Sequence, residues 1–262
     1  MDYKTVVYKA NPIITASFSL TLNEQRLILA CIAQIKNPNT PISPDDEFTI
    51  EAPYFSRLFG ISSKNVYLEL SEAATLLLSR VVTIEMPDPN NPSLSRTKTG
   101  WVSSADYYDK AGKVVIRFSE KMIPYISNLN GCFSRYKIEK IAKIKSVYAI
   151  RLYEVFVSEE WKGKLCEISL ASLKNMFQLN GEYDRVYDFK KYVLDPSIKS
   201  INEHTDISVD YVSKKTGRTV THFVFSIFRT EEFHDKLTDD FVQKNAKPGE
   251  SWGNAKKRLK GK

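Results

Sequence analysis

Apolar residues recur along the chain at two spacings, and the switches between them predict its elements. Thr21-Leu22-Asn23-Glu24 opens a helix as a capping box, in which the Thr hydroxyl and the Glu carboxylate satisfy amides that have no partner inside the helix. Leu27, Ala30, Cys31 and Gln34-Ile35 follow at helical spacing, and the polar, proline-containing residues 36–41 stop the run. Phe48-Thr49-Ile50 reads as a short strand, and residues 53–59 as a short helix closed by Gly60. Ser62 or Ser63 is expected to cap the next helix, which turns Val66, Leu70, Ala73, Ala74, Leu77 and Leu78 to one face. Residues 81–86 alternate as a strand until Pro87, Pro89 and Pro92, where proline gives the ladder no donor. Residues 101–108 and 114–118 are further strands joined across 109–113, so a long, proline-rich wing is expected here. Residues 1–20 are β-prone and are expected to form a loose arm or an edge strand.

Residues 119–145 read as a connection, with Ser119 capping a short segment and a break at 128–131. Ser146 caps a helix reaching about Glu160; residues 165–168 are a strand and 171–177 a helix. A longer helix over 185–202 points Val186, Phe189, Val193, Leu194, Ile198 and Ile201 inward. Pro196 lies inside it and predicts a kink or a split, because it removes a backbone donor and crowds the preceding turn. Residues 207–211 and 223–227 form a hairpin around Lys215-Thr216-Gly217-Arg218, where glycine supplies the positive φ of a tight turn.

The second half thus repeats the plan of the first. Residues 50–59 line up with 168–177, Val66-Tyr67 with Val186-Tyr187, and Arg26-Leu27 with Arg151-Leu152, at offsets of 118, 120 and 125 that loop changes explain. Each copy runs helix, short strand, helix, helix, hairpin, which is the winged-helix order. The expected fold class is α+β: two tandem winged-helix domains related by internal duplication. The expected boundaries are 1–130 for the first domain, 131–230 for the second, and 231–262 for a basic, disordered tail.

Charge sharpens the picture. The chain has 262 residues and a net charge of +7. Residues 1–130 hold 13 basic and 13 acidic residues, so the whole excess lies in the second half. It gathers at Arg135, Lys137, Lys140, Lys143, Lys145 and Arg151, and again in the tail. Such an excess attracts polyanions through counterion release. Enzyme chemistry finds little support. There is no phosphate-cradling Gly-x-x-x-x-Gly-Lys-Ser/Thr loop. His204, His222 and His234 form no metal-binding spacing, and Cys31, Cys132 and Cys166 are far apart. No catalytic residue, metal or cofactor is therefore expected. No apolar run approaches the roughly 20 residues needed to cross a bilayer, and the N-terminus lacks a signal peptide's apolar stretch. A cytoplasmic protein without a membrane partner is expected.

Position picks out the residues expected to bind DNA. Arg185, Lys191, Tyr192 and Lys199 lie on the solvent face of the second copy's longer helix, flanked by Lys190. A helix fits the major groove, and its first residues usually reach base edges. Lys199 and Asn202, late in the helix, are expected at phosphates, and Lys214, Lys215 and Arg218 at the wing tip are expected to grip the backbone. In the first copy Lys64 and Tyr67 open the corresponding helix and Arg96 and Lys98 lie in the wing, but Glu69 and Glu72 repel phosphate. That copy is expected to bind DNA weakly or to hold another subunit, its strands pairing edge to edge.

Four stretches together resemble the iteron-binding plasmid replication initiators: residues 19–28, Lys145 to Glu154, Asp188 to Pro196, and 201–218 with its Lys215-Thr216-Gly217-Arg218 turn. The resemblance spans about residues 10–230. It implies binding to directly repeated double-stranded sites at a plasmid origin, opening of the adjacent duplex, and recruitment of the host initiator and helicase. It also implies a homodimer in equilibrium with a monomer, with autorepression of its own gene by the dimer. The second domain would supply the stronger sequence-specific contact, through Arg185, Lys190, Lys191 and Lys199. Tyr192 stands where the family pattern has a basic residue. A dimeric repressor without a replication role, and a tyrosine-dependent strand-nicking initiator, are the alternatives.

Overall fold

The computed structural model describes residues 5–85, 93–129, 133–159 and 165–230. The first half runs β1 (Val6–Ala10), a helical turn α1 (Asn11–Ile14), α2 (Leu22–Ile32), β2 (Phe48–Glu51), α3 (Ala52–Phe59), α4 (Val66–Leu77), β3 (Val81–Glu85), β4 (Arg96–Gly100), β5 (Val102–Tyr108) and β6 (Lys113–Phe118). The second runs β7 (Phe133–Lys137), α5 (Val147–Glu159), β8 (Leu165–Ser169), α6 (Leu170–Met176), α7 (Val186–Phe189), a π-helical turn (Lys190–Leu194), α8 (Asp195–His204), β9 (Ile207–Thr216) and β10 (Thr219–Arg229).

The duplication is visible in the sheets. Both three-stranded sheets put the last strand of the copy in the middle: β2-β6-β5 in the first half and β8-β10-β9 in the second, each antiparallel. Against each sheet pack three helical segments whose buried faces are aliphatic and aromatic. Phe55 and Phe59 meet edge to face in the first half, while Phe156 meets Phe225 and Phe189 stacks on Phe223 in the second.

The Thr21 capping box forms as the sequence predicts, with the Thr21 hydroxyl accepting from the Glu24 amide and the Glu24 carboxylate from the Thr21 amide. Gly60 closes α3 at φ 62°, and Ser146 caps α5 at 3.3 Å from the Ala149 amide. At α4 the expectation fails. Its N-cap is Asn65 with no side-chain bond, while Ser63 is spent on a local turn, accepting from the Asn65 amide at 3.0 Å. Leu78, expected inward, is 46 % exposed, because the helix ends at Leu77 and the chain turns away.

Two larger corrections concern topology. Of the two expectations for the N-terminal residues the edge strand holds and the loose arm does not: β1 pairs with β7 in full register, and Val7, Ile13, Ile14, Ala16 and Phe18 are buried. The hairpin β5–β6 turns at Asp109–Ala111 and is the first domain's wing. The preceding strands β3 and β4 form a separate two-stranded ribbon inserted between α4 and the wing. Sequence alternation sees strands but not which strand they pair with, so ribbon and wing merged into one long wing. Residues 86–92, which hold that wing's prolines, lie outside the described residues, as does the basic tail at 231–262.

The split expected at Pro196 is present, as the run over 186–204 divides into α7, a π turn and α8. Pro196 sits in the first turn of α8, where no intrahelical amide is needed. The turn before it widens to π geometry, so that the Asp195 amide reaches back to the Lys190 carbonyl. A wider turn moves the carbonyl that a proline would otherwise clash with. Among the described residues no helix is long and apolar enough to cross a membrane.

Candidate nucleic-acid interface

The helix formed by α7, the π turn and α8 has two sharply different faces. Phe189, Val193, Leu194, Ser197, Ile198 and Ile201 are buried, whereas Arg185, Tyr187, Lys191, Tyr192 and Lys199 are exposed. Arg185 is the N-cap, in extended conformation, and its exposed guanidinium has no hydrogen-bond or ion-pair partner among the described residues. Lys191 lies between two rings, its ammonium 5.9 Å from the Tyr187 centroid and 5.0 Å from that of Tyr192. A cation over exposed aromatic faces is held without being neutralised. Lys190 is half-buried and sits 5.3 Å over the Tyr211 ring at the edge of this face. Tyr211 in turn donates to Asp195, and burial together with that bond raises its pKa, so the phenol stays protonated.

The wing carries its cations unequally. Gly217 and Arg218 form the tip, with Gly217 at φ 62°, and Lys215 and Arg218 are exposed with no ion-pair partner among the described residues. Lys214 is different: its ammonium contacts both Glu167 carboxylate oxygens, at 2.8 and 3.0 Å. That bond holds the Glu167 carboxyl below the usual carboxylate range. Lys199 has a looser partner, Glu203, at 3.9 Å.

Two residues the sequence assigned to polyanion contact are structural. Asn202 clamps the end of α8 to β9: its amide donates to the Val209 carbonyl at 2.9 Å and its carbonyl accepts from the Val209 amide at 2.7 Å. Both polar atoms of its amide are thereby committed to the backbone, which fixes the side chain against β9. Asn202→Ala is expected to lower the unfolding free energy by about 1–3 kcal/mol, read by urea denaturation, while leaving the salt dependence of DNA binding unchanged. Arg151 is 3 % exposed, and burial pushes its pKa down to about 9. It contributes nothing to the surface charge at the junction.

Tyr187 is the residue that sequence reading passed over. At 68 % exposure it is among the most exposed large apolar side chains described, one turn before Lys191. Its signal in the sequence is an aromatic ring four residues before a lysine on a polar face.

The first copy is arranged otherwise. Lys64 is exposed ahead of α4. Tyr67 is engaged internally, donating to Asp109 in the wing turn at 2.5 Å, and this bond pushes its pKa up to about 12. Thr75 and Tyr107 share a hydrogen bond at 2.8 Å, so α4 is stapled twice to its own wing. Arg96 and Lys98 are exposed on β4 of the inserted ribbon, opposite Glu85 and Thr83, and not on the wing. Among the described residues no three His, Cys, Asp or Glu side chains converge as a metal-binding group.

Comparison with known proteins also finds two winged-helix units, although the first matched region extends through β7 and α5. A family model described as the first winged-helix domain of initiator replication proteins matches residues 6–157, and one described as the second winged-helix domain of initiator Rep proteins matches 169–227. A replication initiation protein of Escherichia coli is 28% identical over 228 residues, covering 85% of this chain and 69% of the relative. An uncharacterised 27.6 kDa protein of Escherichia coli is 25% identical over 236 residues, covering 87% and 95%. Among solved structures, the Pi initiator protein in complex with iteron DNA superposes with a TM-score of 0.74 at 22% identity, over 87% of this chain and 99% of that one.

Proposed function

The chain belongs to the initiator replication protein family through both of its winged-helix domains, and from that premise we propose that it is a plasmid replication initiator that binds directly repeated double-stranded sites at its origin. The observation that carries this reading is the free cationic face at the entrance of the second recognition helix. Arg185 and Lys191 stand on a rigid, fully packed helix, backed by a wing whose tip holds Lys215 and Arg218. Helix in the major groove and wing on the backbone is the docking this geometry fits. The same fold in a protein solved on iteron DNA supports it.

In this reading residues 131–230 supply the main sequence-specific contact, with Lys190, Tyr192, Lys199 and Lys214 around the central pair. Residues 1–130 supply auxiliary contact through Lys64, Tyr67, Arg96 and Lys98, and also self-association. The inserted ribbon fits the second task, because Val81 in β3 and the nearby Leu78 and Leu94 are all exposed apolar side chains. The protein acts without covalent chemistry in the cytoplasm. Occupying several repeats bends the duplex until the adjacent stretch opens, and the exposed strand is then handed to the host initiator and helicase. The homodimer represses the protein's own gene and the monomer initiates.

Titration of a repeat-bearing duplex against salt tests the reading. With several phosphates neutralised, the slope of log K against log salt is expected near −0.9 per contact, so about −4 to −6 for four to seven cations. A flat response sinks it. Replication of an origin-only plasmid with the protein supplied in trans separates initiator from repressor, and incubation of supercoiled origin DNA with Mg²⁺ separates both from a nicking enzyme.

A further inference from the structure

Arg26 and Arg151 occupy the same place in the two copies, on the first helix of each winged domain. Both are buried, and both guanidiniums face the phenylalanine that ends the second helix of their own copy: Arg26 at 5.2 Å from the Phe59 centroid, Arg151 at 5.8 Å from that of Phe177. Among the described residues neither makes an ion pair; both donate to backbone carbonyls across the junction between the halves. Arg26 reaches Ala142 and Ile144, at 3.4 and 3.3 Å, in the segment leading into the second domain. Arg151 reaches back to Phe18 at 2.9 Å, Ala16 at 2.5 Å and Ile14 at 3.4 Å, and to Met176 of its own half at 2.5 Å.

The strip that Arg151 grips belongs to both halves at once. Ser17 exchanges two backbone hydrogen bonds with Thr83 of β3, at 2.8 and 2.9 Å. On its other side the Ser17 hydroxyl donates to the Asn175 carbonyl at 2.6 Å, and the Phe18 amide to that of Met176 at 3.4 Å. The Phe18 ring is caught between Trp101 of the first half, edge-on at 4.9 Å, and the Arg151 guanidinium at 3.6 Å. Only a planar fork of five donors can serve carbonyls from both directions while stacking on a ring; a lysine's single ammonium cannot. Desolvating a charge among neutral carbonyls is costly, and the carbonyls that Arg151 serves come from residues 14–18 on one side and Met176 on the other. The contacts secure the orientation of one half against the other.

We propose that Arg151, with Arg26 as its counterpart, is a positioning residue for DNA recognition: it fixes the distance and rotation between the two DNA-facing helices, so that the protein measures the spacing between the two segments each domain contacts. The inference rests on the DNA-binding reading above. It gives the two linked domains one geometry, and linked sites gain their avidity of about 10²–10⁴ only when both engage together.

The test inserts base pairs between the segments that each domain protects in a footprint of the full chain on its repeat. An insertion of 5 bp turns one segment about half a helical turn from the other. Wild-type protein is expected to lose on the order of 100-fold in affinity, as one domain disengages. Arg151→Met is expected to bind the native spacing less tightly but to lose at most about 10-fold on insertion, a flattened profile. Its affinity for DNA carrying only the second domain's segment should match wild type. Ser17→Ala removes one bond of the joint without disturbing packing, and Arg26→Met opens the other side; both should flatten the profile in the same direction, and they decide the question if circular dichroism shows Arg151→Met unfolded. A wild-type insertion penalty in the folded variants, or no penalty in wild type that binds its repeat specifically, overturns the inference. Wild type that fails to prefer repeat DNA at all overturns the functional reading instead.

Discussion

Glu154→Ala is expected to destabilise the protein by about 3–5 kcal/mol, the largest loss of any single substitution at a polar position here. The Lys9 ammonium lies 2.7 Å from Glu154 Oε1, and the two side chains are 2% and 0% exposed. Tyr136 donates its hydroxyl to the same oxygen. Removing the carboxylate strands a buried ammonium and a buried phenol together, and an uncompensated buried charge is what makes breaking such a pair so much worse than never having had it. Urea unfolding followed by circular dichroism is the check, and roughly 10 °C off the thermal midpoint is the matching signature. The pair Lys9→Met with Glu154→Leu should recover most of the loss, because two well-packed apolar side chains need no partner. A single substitution no worse than the double one would mean that water reaches this site. Burial first, and then Glu154, raises the Tyr136 pKa well above its ordinary 10. The stability from the protonated phenol is therefore complete below pH about 10 and is lost as pH rises from there through the folded-state pKa. Wild type should weaken above pH 10 and Tyr136→Phe should not share that alkaline limb.

The same cluster shows why sequence reading does not settle the N-terminal residues. Lys9 sits in a β-prone stretch with no helical period, which leaves a loose arm and an edge strand equally open. Its partner Glu154 lies 145 positions away, and no local pattern reports a contact at that range. Where the determinants are local, the chain is transparent. The capping box at Thr21, the cap at Ser146, the left-handed Gly60 and Gly217, and the inward faces of α4 and α8 all depend on neighbours within one or two turns. Where they depend on pairing across the sheet, it is opaque. Arg96 and Lys98 alternate as a strand should, and only the partner of that strand separates ribbon from wing.

The binding face was legible in the same graded way. A helix period places Arg185, Lys191 and Lys199 outward, and they are exposed. Whether an outward polar group is free is a separate question, and composition does not answer it. Lys214 finds Glu167, Tyr67 finds Asp109, and Asn202 finds the Val209 backbone. The Arg26/Arg151 correspondence shows the opposite case, where a repeat offset in the sequence marked a pair whose shared role lies inside the molecule.

These differences in freedom set the expected ranking of DNA-binding losses. Arg185→Ala is expected to reduce affinity for the specific repeat by about 1–3 kcal/mol, or roughly 5- to 150-fold, and to relax the preference at one base pair. The exposed guanidinium stands at the helix N-cap with no partner among the described residues, which leaves its fork of donors available to a guanine edge. Lys191→Ala is expected to weaken binding across all sequences and to reduce the salt slope by about one, the mark of a phosphate contact. Its ammonium rests on two exposed rings that keep it extended without a counter-charge. Lys64→Ala should cost far less. The helix it precedes carries Glu69 in its first turn and Glu72 beyond, and Tyr67 beside it is already committed to Asp109. Fluorescence anisotropy on specific and scrambled duplexes at two salt concentrations separates the three outcomes. Equal losses at Arg185, Lys191 and Lys64 would place the sequence readout in both domains, and a Lys64 loss exceeding the others would move it to the first.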